Sequence, residues 1–238
     1  MRKLAAEAAD NGLMDSAAAE AIGRVKGVKQ AGRRAGNWLT KAEAQALLDT
    51  PDIGTMKGLR DRAILAVMVG GGLRRSEVAG LTFDRIQQRD GRWVIVDLVG
   101  KGGRVRSVPI PSWAKAAVDE WATAAGLADG RIFRSVNRGG RIDGDGMTPQ
   151  AIYNVVATYA TRTGLGVAAH DLRRTFAGDL LDAGADLVTA QKLMGHSNPS
   201  TTAGYDRRTE KAKRKAVAAL SVPYTRRYRN ENGKDKTA

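Results

Sequence analysis

The chain has 238 residues, 42% hydrophobic and 27% charged, enough for one substantial core and a small appendage. Its 39 Lys and Arg against 25 Asp and Glu leave a net charge of +14, a surplus suited to a polyanion, nucleic acid above all. The absence of cysteine excludes a disulfide framework and a thiolate zinc site, and the longest apolar runs, such as Ala63 to Val69, are too short to span a bilayer.

In chain order, Arg2 to Asn11 has the helical spacing of Leu4, Ala5 and Ala8 and stops at Asn11-Gly12, and a second short helix runs from about Asp15 to Arg24. No charged-then-apolar signal segment opens the chain, so the cytoplasm is the expected compartment. Val25 to Gly36 is glycine-rich and cationic; Lys26, Lys29, Arg33 and Arg34 make it a linker able to lie along phosphates.

A domain begins at Trp38. Thr40-Lys41-Ala42-Glu43 fits a capping box and predicts a helix to about Asp49. Met56 to Val69 is a helix ended by Gly70-Gly71-Gly72, and a short helix follows from Arg75 to Leu81. Arg92 to Val99 and Val105 to Ile110 read as strands on either side of a turn at Lys101-Gly102-Gly103. Pro111 opens a helix to about Ala125, and Thr148-Pro149 caps one to about Arg162. Asp171 to Ala183, Asp186 to Met194 and Thr209 to Leu220 complete a mainly helical α+β set, with no internal repeat. The residues after Pro223 predict a mobile basic tail.

The chain has only two histidines, and both stand in short polar contexts beside arginine or tyrosine. His170 opens His170-Asp171-Leu172-Arg173-Arg174-Thr175-Phe176, where positions 170, 173 and 174 share one helical face. His196 follows Gly195; nine residues later, beyond Ser197-Asn198-Pro199, stands Tyr205. A further cationic group, Leu73-Arg74-Arg75-Ser76-Glu77, directly follows three glycines, which allow close approach of a ligand to the backbone. Arg74 can fork onto phosphate oxygens, and Glu77 is spaced to hold its guanidinium. Asp143 and Asp145 lie in a glycine-rich loop and read as a solvated turn rather than part of a metal-binding carboxylate trio; no phosphate-binding P-loop pattern occurs.

Together these segments resemble the tyrosine recombinase, or phage integrase, family. Gly72 to Leu81 is similar to its first box, with Arg74 the matching arginine; Lys101 matches its hairpin lysine; His170-Asp171-Leu172-Arg173 is its His-x-x-Arg box; and Leu193 to Tyr205 resembles its last box. The likeness covers about residues 38 to 222. It implies a catalytic domain over 38–222, mainly helical, with a small β-hairpin sheet near the active site. Residues 1–37 would be the last helix of a core-binding domain plus a basic linker, and 223–238 a flexible tail.

The resemblance also implies a chemistry. Tyr205 attacks a DNA phosphodiester to form a 3′-phosphotyrosyl link, Lys101 protonates the departing 5′ oxygen, His170 takes or relays the tyrosine proton, and Arg74, Arg173 and His196 stabilise the nonbridging oxygens. Arg75, Arg104 and Arg174 are further DNA-contact candidates. No metal, ATP, cofactor or small-molecule substrate is expected. The implied partner is double-stranded DNA in the nucleoid of a bacterial or phage-infected cell. On it the chain assembles as a tetramer, the helix at Thr209 to Leu220 docking on a neighbouring protomer. A non-catalytic DNA-binding regulator and a type IB topoisomerase are the alternatives.

Overall fold

The computed structural model describes residues 1–25, 37–100, 103–196, 198–204, 206, 217–219, 227–229 and 235–237, with the side chains of Pro199, Ser200 and the last two segments left aside. It divides into two compact units, Met1–Ala35 and Gly36–Ala238. In the first, α1 (Arg2–Asp10) packs on α2 (Ser16–Arg24), burying Ala5 and Ala19, and Asp15 caps α2 through the Ala18 amide.

The second unit is organised around α4 (Met56–Gly71), in which Ala63 to Met68 are all essentially inaccessible to solvent. A helix apolar all round requires neighbours on every side. They are α3 (Lys41–Asp49), α5 (Arg75–Ala79), α6 (Ser112–Ala125), α7 (Pro149–Arg162) and α8 (Ala169–Asp182). The capping box at Thr40 forms as read, its hydroxyl accepting from the Glu43 amide at 3.2 Å while the Glu43 carboxylate accepts from the Thr40 amide at 2.7 Å. Helix α9 (Leu187–Met194) starts at the Asp186 cap and is followed by α10 (Pro199–Ala203).

Beside this helical body lies an antiparallel sheet of β1 (Ile86–Arg89), β2 (Arg92–Val99) and β3 (Val105–Ile110), its register shifting between Ile95 and Leu98. A small pair, β4 (Ser135–Val136) and β5 (Ile142–Asp143), stands apart. The mainly helical α+β class with a small hairpin sheet is borne out.

Some local readings need correction. The helix does not end at Gly70: α4 continues through Gly71 and closes at Gly72, and Gly70 packs so closely on Trp113 and Ala114 of α6 that a β-carbon there would lie 3.0 and 3.1 Å from them. Strand β1 was not foreseen, although Asp90-Gly91, at φ 48° and 72°, makes the tight hairpin turn that these residue types favour. Near the C-terminus, β6 (Arg227–Arg229) pairs antiparallel with β7 (Asp235–Thr237), and the sequence between them carries the turn-forming Asn232-Gly233. Of the helix expected at Thr209 to Leu220, only residues 217–219 are described, with 217 and 218 helical.

Candidate active site

The site forms where the ends of α4, α5, α8 and α9 meet β3. Gly72 closes α4 in the left-handed conformation, φ 58°, and a β-carbon on it would run into the Phe176 ring. That turn releases Arg74 at the N-cap of α5, where its backbone amide donates to Glu77 Oε2 at 2.8 Å and its Nη1 to Oε1 at 2.7 Å. Arg74 Nη2 reaches across to the carbonyls of Met194 and Gly195, at 3.4 and 3.2 Å.

Arg173 comes from α8 and is only 2% exposed. It donates from Nη1 to the Gly72 carbonyl and from Nη2 to the Met194 carbonyl, tying the ends of α4 and α9 together. The last carbonyls of a helix have no partner within it and carry the negative end of its dipole, so two arginines at the end of α9 are favourably placed.

The sequence starts this helix at Asp171; the structure starts α8 at Ala169 and seats His170 in its first turn. The reason is Asp171, whose Oδ2 accepts from the Ala168 amide at 2.9 Å and so starts the helix two residues earlier than expected, while its Oδ1 takes an ion pair from Arg174 at 2.7 Å. Partial burial of the His170 ring, then the charges of Arg174 and Arg173, hold its pKa below the usual 6.5. His196, just beyond α9, is depressed to about 4 by burial, then by Arg173 and Arg74. Both imidazoles are therefore neutral at pH 7, each with one donor and one acceptor nitrogen.

Arg74, His170 and Arg173 line one pocket of about 350 Å³, together with Arg75, Ser76 and Tyr153; the Arg75 guanidinium lies 5.8 Å from the centre of the Tyr153 ring. His196 lines a second pocket of about 360 Å³ with Arg104, Arg106 and Lys192, and the bonds from Arg74 to Met194 and Gly195 connect the two. Arg75 and Arg104 are exposed, whereas Arg174 is partly buried. Lys101 and Tyr205, and the linker cations Lys26, Lys29, Arg33 and Arg34, lie outside the described residues. Their chain neighbours are informative. Gly100 abuts the arginines, for a β-carbon built on it would stand 3.3 Å from Arg74 Nη1. Three residues before Tyr205, the buried Thr202 holds His196 Nδ1 at 2.9 Å.

Sequence reasoning missed Arg106. It donates from Nη1 and Nη2 to Glu77 Oε1 and Oε2, both at 2.8 Å, and from Nε to the Leu193 carbonyl at 2.8 Å. Burial alone would raise the Glu77 pKa, but the Arg106 hydrogen bonds, then those of Arg74, hold it at about 2. The available signal was alternation: Arg106 shares the inward face of β3 with the buried Val108 and Ile110. Among the described residues no three of His, Asp and Glu gather as a metal-binding group, and no helix is long and apolar enough to cross a membrane.

A cluster of fixed guanidinium donors and neutral imidazoles, open to a pocket of this size, is built to hold an oxyanion such as a phosphodiester. The profile of the phage integrase family matches residues 37–212, and the chain belongs to that family. It is 40% identical over 173 residues to tyrosine recombinase XerC of Myxococcus xanthus, covering 68% of this chain and 55% of that protein. To tyrosine recombinase XerD of Pseudomonas aeruginosa it is 36% identical over 175 residues, covering 70% and 56%. The chain thus spans about half the length of the curated relatives it matches. The crystal structure of XerA recombinase superposes with a TM-score of 0.63 at 21% identity, over 81% of this chain and 68% of that one.

Proposed function

We propose that residues 38–222 are the catalytic domain of a site-specific DNA recombinase, with residues 1–37 the end of a DNA-clamping domain and its basic linker, and 223–238 a flexible basic tail. The observation that carries this reading is the convergence of Arg74, Arg173 and a neutral His170 on one pocket, next to the chain segments that lead to Lys101 and Tyr205. The net charge of +14 and the recombinase names of the relatives support DNA as the partner.

In the proposed reaction the Tyr205 oxygen bonds to the scissile phosphorus as the bond to the 5′ oxygen breaks, leaving a 3′-phosphotyrosine and a 5′-hydroxyl. A phenol of ordinary pKa near 10 needs its proton taken during attack, and His170, neutral at pH 7, accepts it. Lys101 returns a proton to the leaving oxygen. Arg74, Arg173 and His196 stabilise the charge that gathers on the nonbridging oxygens. Because the phosphodiester is exchanged rather than hydrolysed, the bond is conserved and ATP is not required. Glu77 orients Arg74, while Arg75, Arg104, Arg174 and the linker cations follow the DNA backbone. The proposal extends to a tetramer on DNA in the bacterial nucleoid, with the apolar stripe of Ala212, Ala216, Val217 and Leu220 covered by a neighbouring copy.

The test is a nicked suicide substrate incubated with the 238-residue chain. A covalent protein–DNA adduct that persists with excess chelator and disappears in Tyr205→Phe is expected. DNA retention without any adduct identifies a regulator instead. Supercoil relaxation without recombinant product identifies a topoisomerase.

A further inference from the structure

An arginine on the core-facing side of a strand needs a reason, and the reason given by the contacts of Arg106 lies in the active site. Its side chain is 8% exposed and makes three hydrogen bonds, two to the Glu77 carboxylate and one to the Leu193 carbonyl. Arg74 places two more on the same carboxylate, so Glu77 accepts four, two from each arginine. Arg106 and Arg74 also divide the end of α9 between them: Arg106 takes the carbonyl of Leu193, and Arg74 those of Met194 and Gly195. The approach is close enough that a β-carbon on Gly195, which sits at φ 59°, would stand 2.9 Å from Arg106 Cδ. His196 is the next residue.

The charges explain why a buried carboxylate does not silence the site. If Glu77 were paired with Arg74 alone, the carboxylate would neutralise the charge that a phosphate must meet. A buried ion pair also recovers its desolvation cost only when its geometry and hydrogen bonding are complete. With Arg106 sharing the carboxylate, two positive groups face one negative one, and Arg74 keeps its net attraction for an anion. Its side chain is 28% exposed, against 4% for Glu77.

We infer that Arg106 is a positioning residue for DNA cleavage. It fixes Glu77 so that Arg74 faces the phosphate without being neutralised, and it locks the end of α9 that presents His196. The inference rests on the recombinase reading of the same site. Lysine cannot replace the fork, because an ammonium is a point charge unable to meet both carboxylate oxygens in parallel while holding the Leu193 carbonyl.

The experiment compares the full chain with Arg106→Met and Arg106→Lys in single-turnover cleavage of a suicide substrate, alongside DNA affinity and thermal unfolding. Arg106→Met is expected to cleave about 100-fold more slowly, the scale on which small misplacements of a reacting group act, with DNA affinity little changed. Arg106→Lys, which keeps the charge and the fold, is expected to recover part of the rate. A purely structural role would lower melting temperature, affinity and cleavage together. Wild-type cleavage by folded Arg106→Met overturns the inference. A second readout needs no DNA: the Glu77 carboxyl, followed by carbon NMR, is faced by Arg74 from α5 and Arg106 from β3, with His196 and His170 the nearby titrating groups. In Arg106→Met its midpoint is expected to rise well above about 2, and an unmoved midpoint overturns the inference. If the wild-type chain forms no Tyr205 adduct, the recombinase reading falls, and the Glu77 titration still decides whether Arg106 governs this carboxylate.

Discussion

His196 Nδ1 and Thr202 Oγ1 stand 2.9 Å apart, joining the turn after α9 to the buried side of α10. Thr202 is fully buried and precedes Tyr205 by three residues, so this contact anchors both ends of the segment that would deliver the nucleophile. Thr202→Val keeps the shape and removes the oxygen. It is expected to cost about 1–2 kcal/mol of stability, the usual loss for a buried hydrogen bond, and to slow adduct formation more than it weakens DNA binding. Thr202→Ser, which retains the oxygen, should cleave faster than the valine variant. Equal cleavage rates in the two would remove the contact from the mechanism.

Arg173 spans two helix ends through one guanidinium, reaching the carbonyls of Gly72 and Met194. A lysine can satisfy one of them at most. Arg173→Lys is therefore expected to lose about 1–3 kcal/mol of stability through the abandoned carbonyl and to reduce cleavage on the order of 100-fold or more, as loss of an oxyanion donor does. Denaturant unfolding and single-turnover cleavage check the two halves separately. A variant as stable as the parent would mean that the fork does not join α4 to α9.

The sequence made some of this site legible and hid the rest for identifiable reasons. Arg74, His170, Arg173 and His196 were found because each sits in a short motif whose spacing survives without the fold. Arg106 was hidden because its partners are 29 and 87 positions away; only its place on the inward face of β3 marked it. Thr202 stands in a run of small polar residues, where nothing local distinguishes the one that is buried. The helix at Pro199 was not foreseen, although proline is at home in a first helical turn, where its missing amide proton costs nothing. The first turn of α8 was misplaced because its cap is not the residue before the helix but Asp171, three residues further on, reaching back.

The two histidines and Glu77 give the protein an acid-side instability with a defined sign. His196 is held at about 4 when folded and returns to about 6.5 when unfolded, so below pH 6.5 the unfolded chain binds the extra proton. Its contribution is fully present above pH 6.5 and is lost as pH falls through about 4. His170 shifts in the same direction. Glu77, depressed from 4.5 to about 2, adds its own loss only below pH 4.5. Denaturant unfolding at pH 7 and pH 5 should therefore show the wild type weakening on acidification and His196→Gln weakening less. An identical slope in the two proteins would mean that the imidazole is not desolvated.

Away from the pocket, Asp61 and Arg60 form a nearly inaccessible ion pair beside α7: Arg60 Nε and Nη2 donate to Asp61 Oδ1 at 2.9 and 2.6 Å, and the Tyr159 hydroxyl donates to Oδ2 at 3.1 Å. Burial raises the Asp61 pKa against the pull of Arg60, and burial, then the Asp61 charge, raises Tyr159 to about 12. Asp61→Asn keeps the volume but leaves the Arg60 charge facing a neutral amide in the core. A loss of about 3–5 kcal/mol is expected, the cost of stranding one member of a buried pair. Tyr159→Phe removes a single hydrogen bond to a charged acceptor, so its loss should be smaller, about 1.5–3 kcal/mol. None of these three residues lines the arginine pocket, so whatever fraction of either variant remains folded should cleave at the wild-type rate. Thermal unfolding ranks the two losses. If Tyr159→Phe proves the more damaging, the cluster is held by the tyrosine hydroxyl's hydrogen bond rather than by the Arg60–Asp61 charge pair.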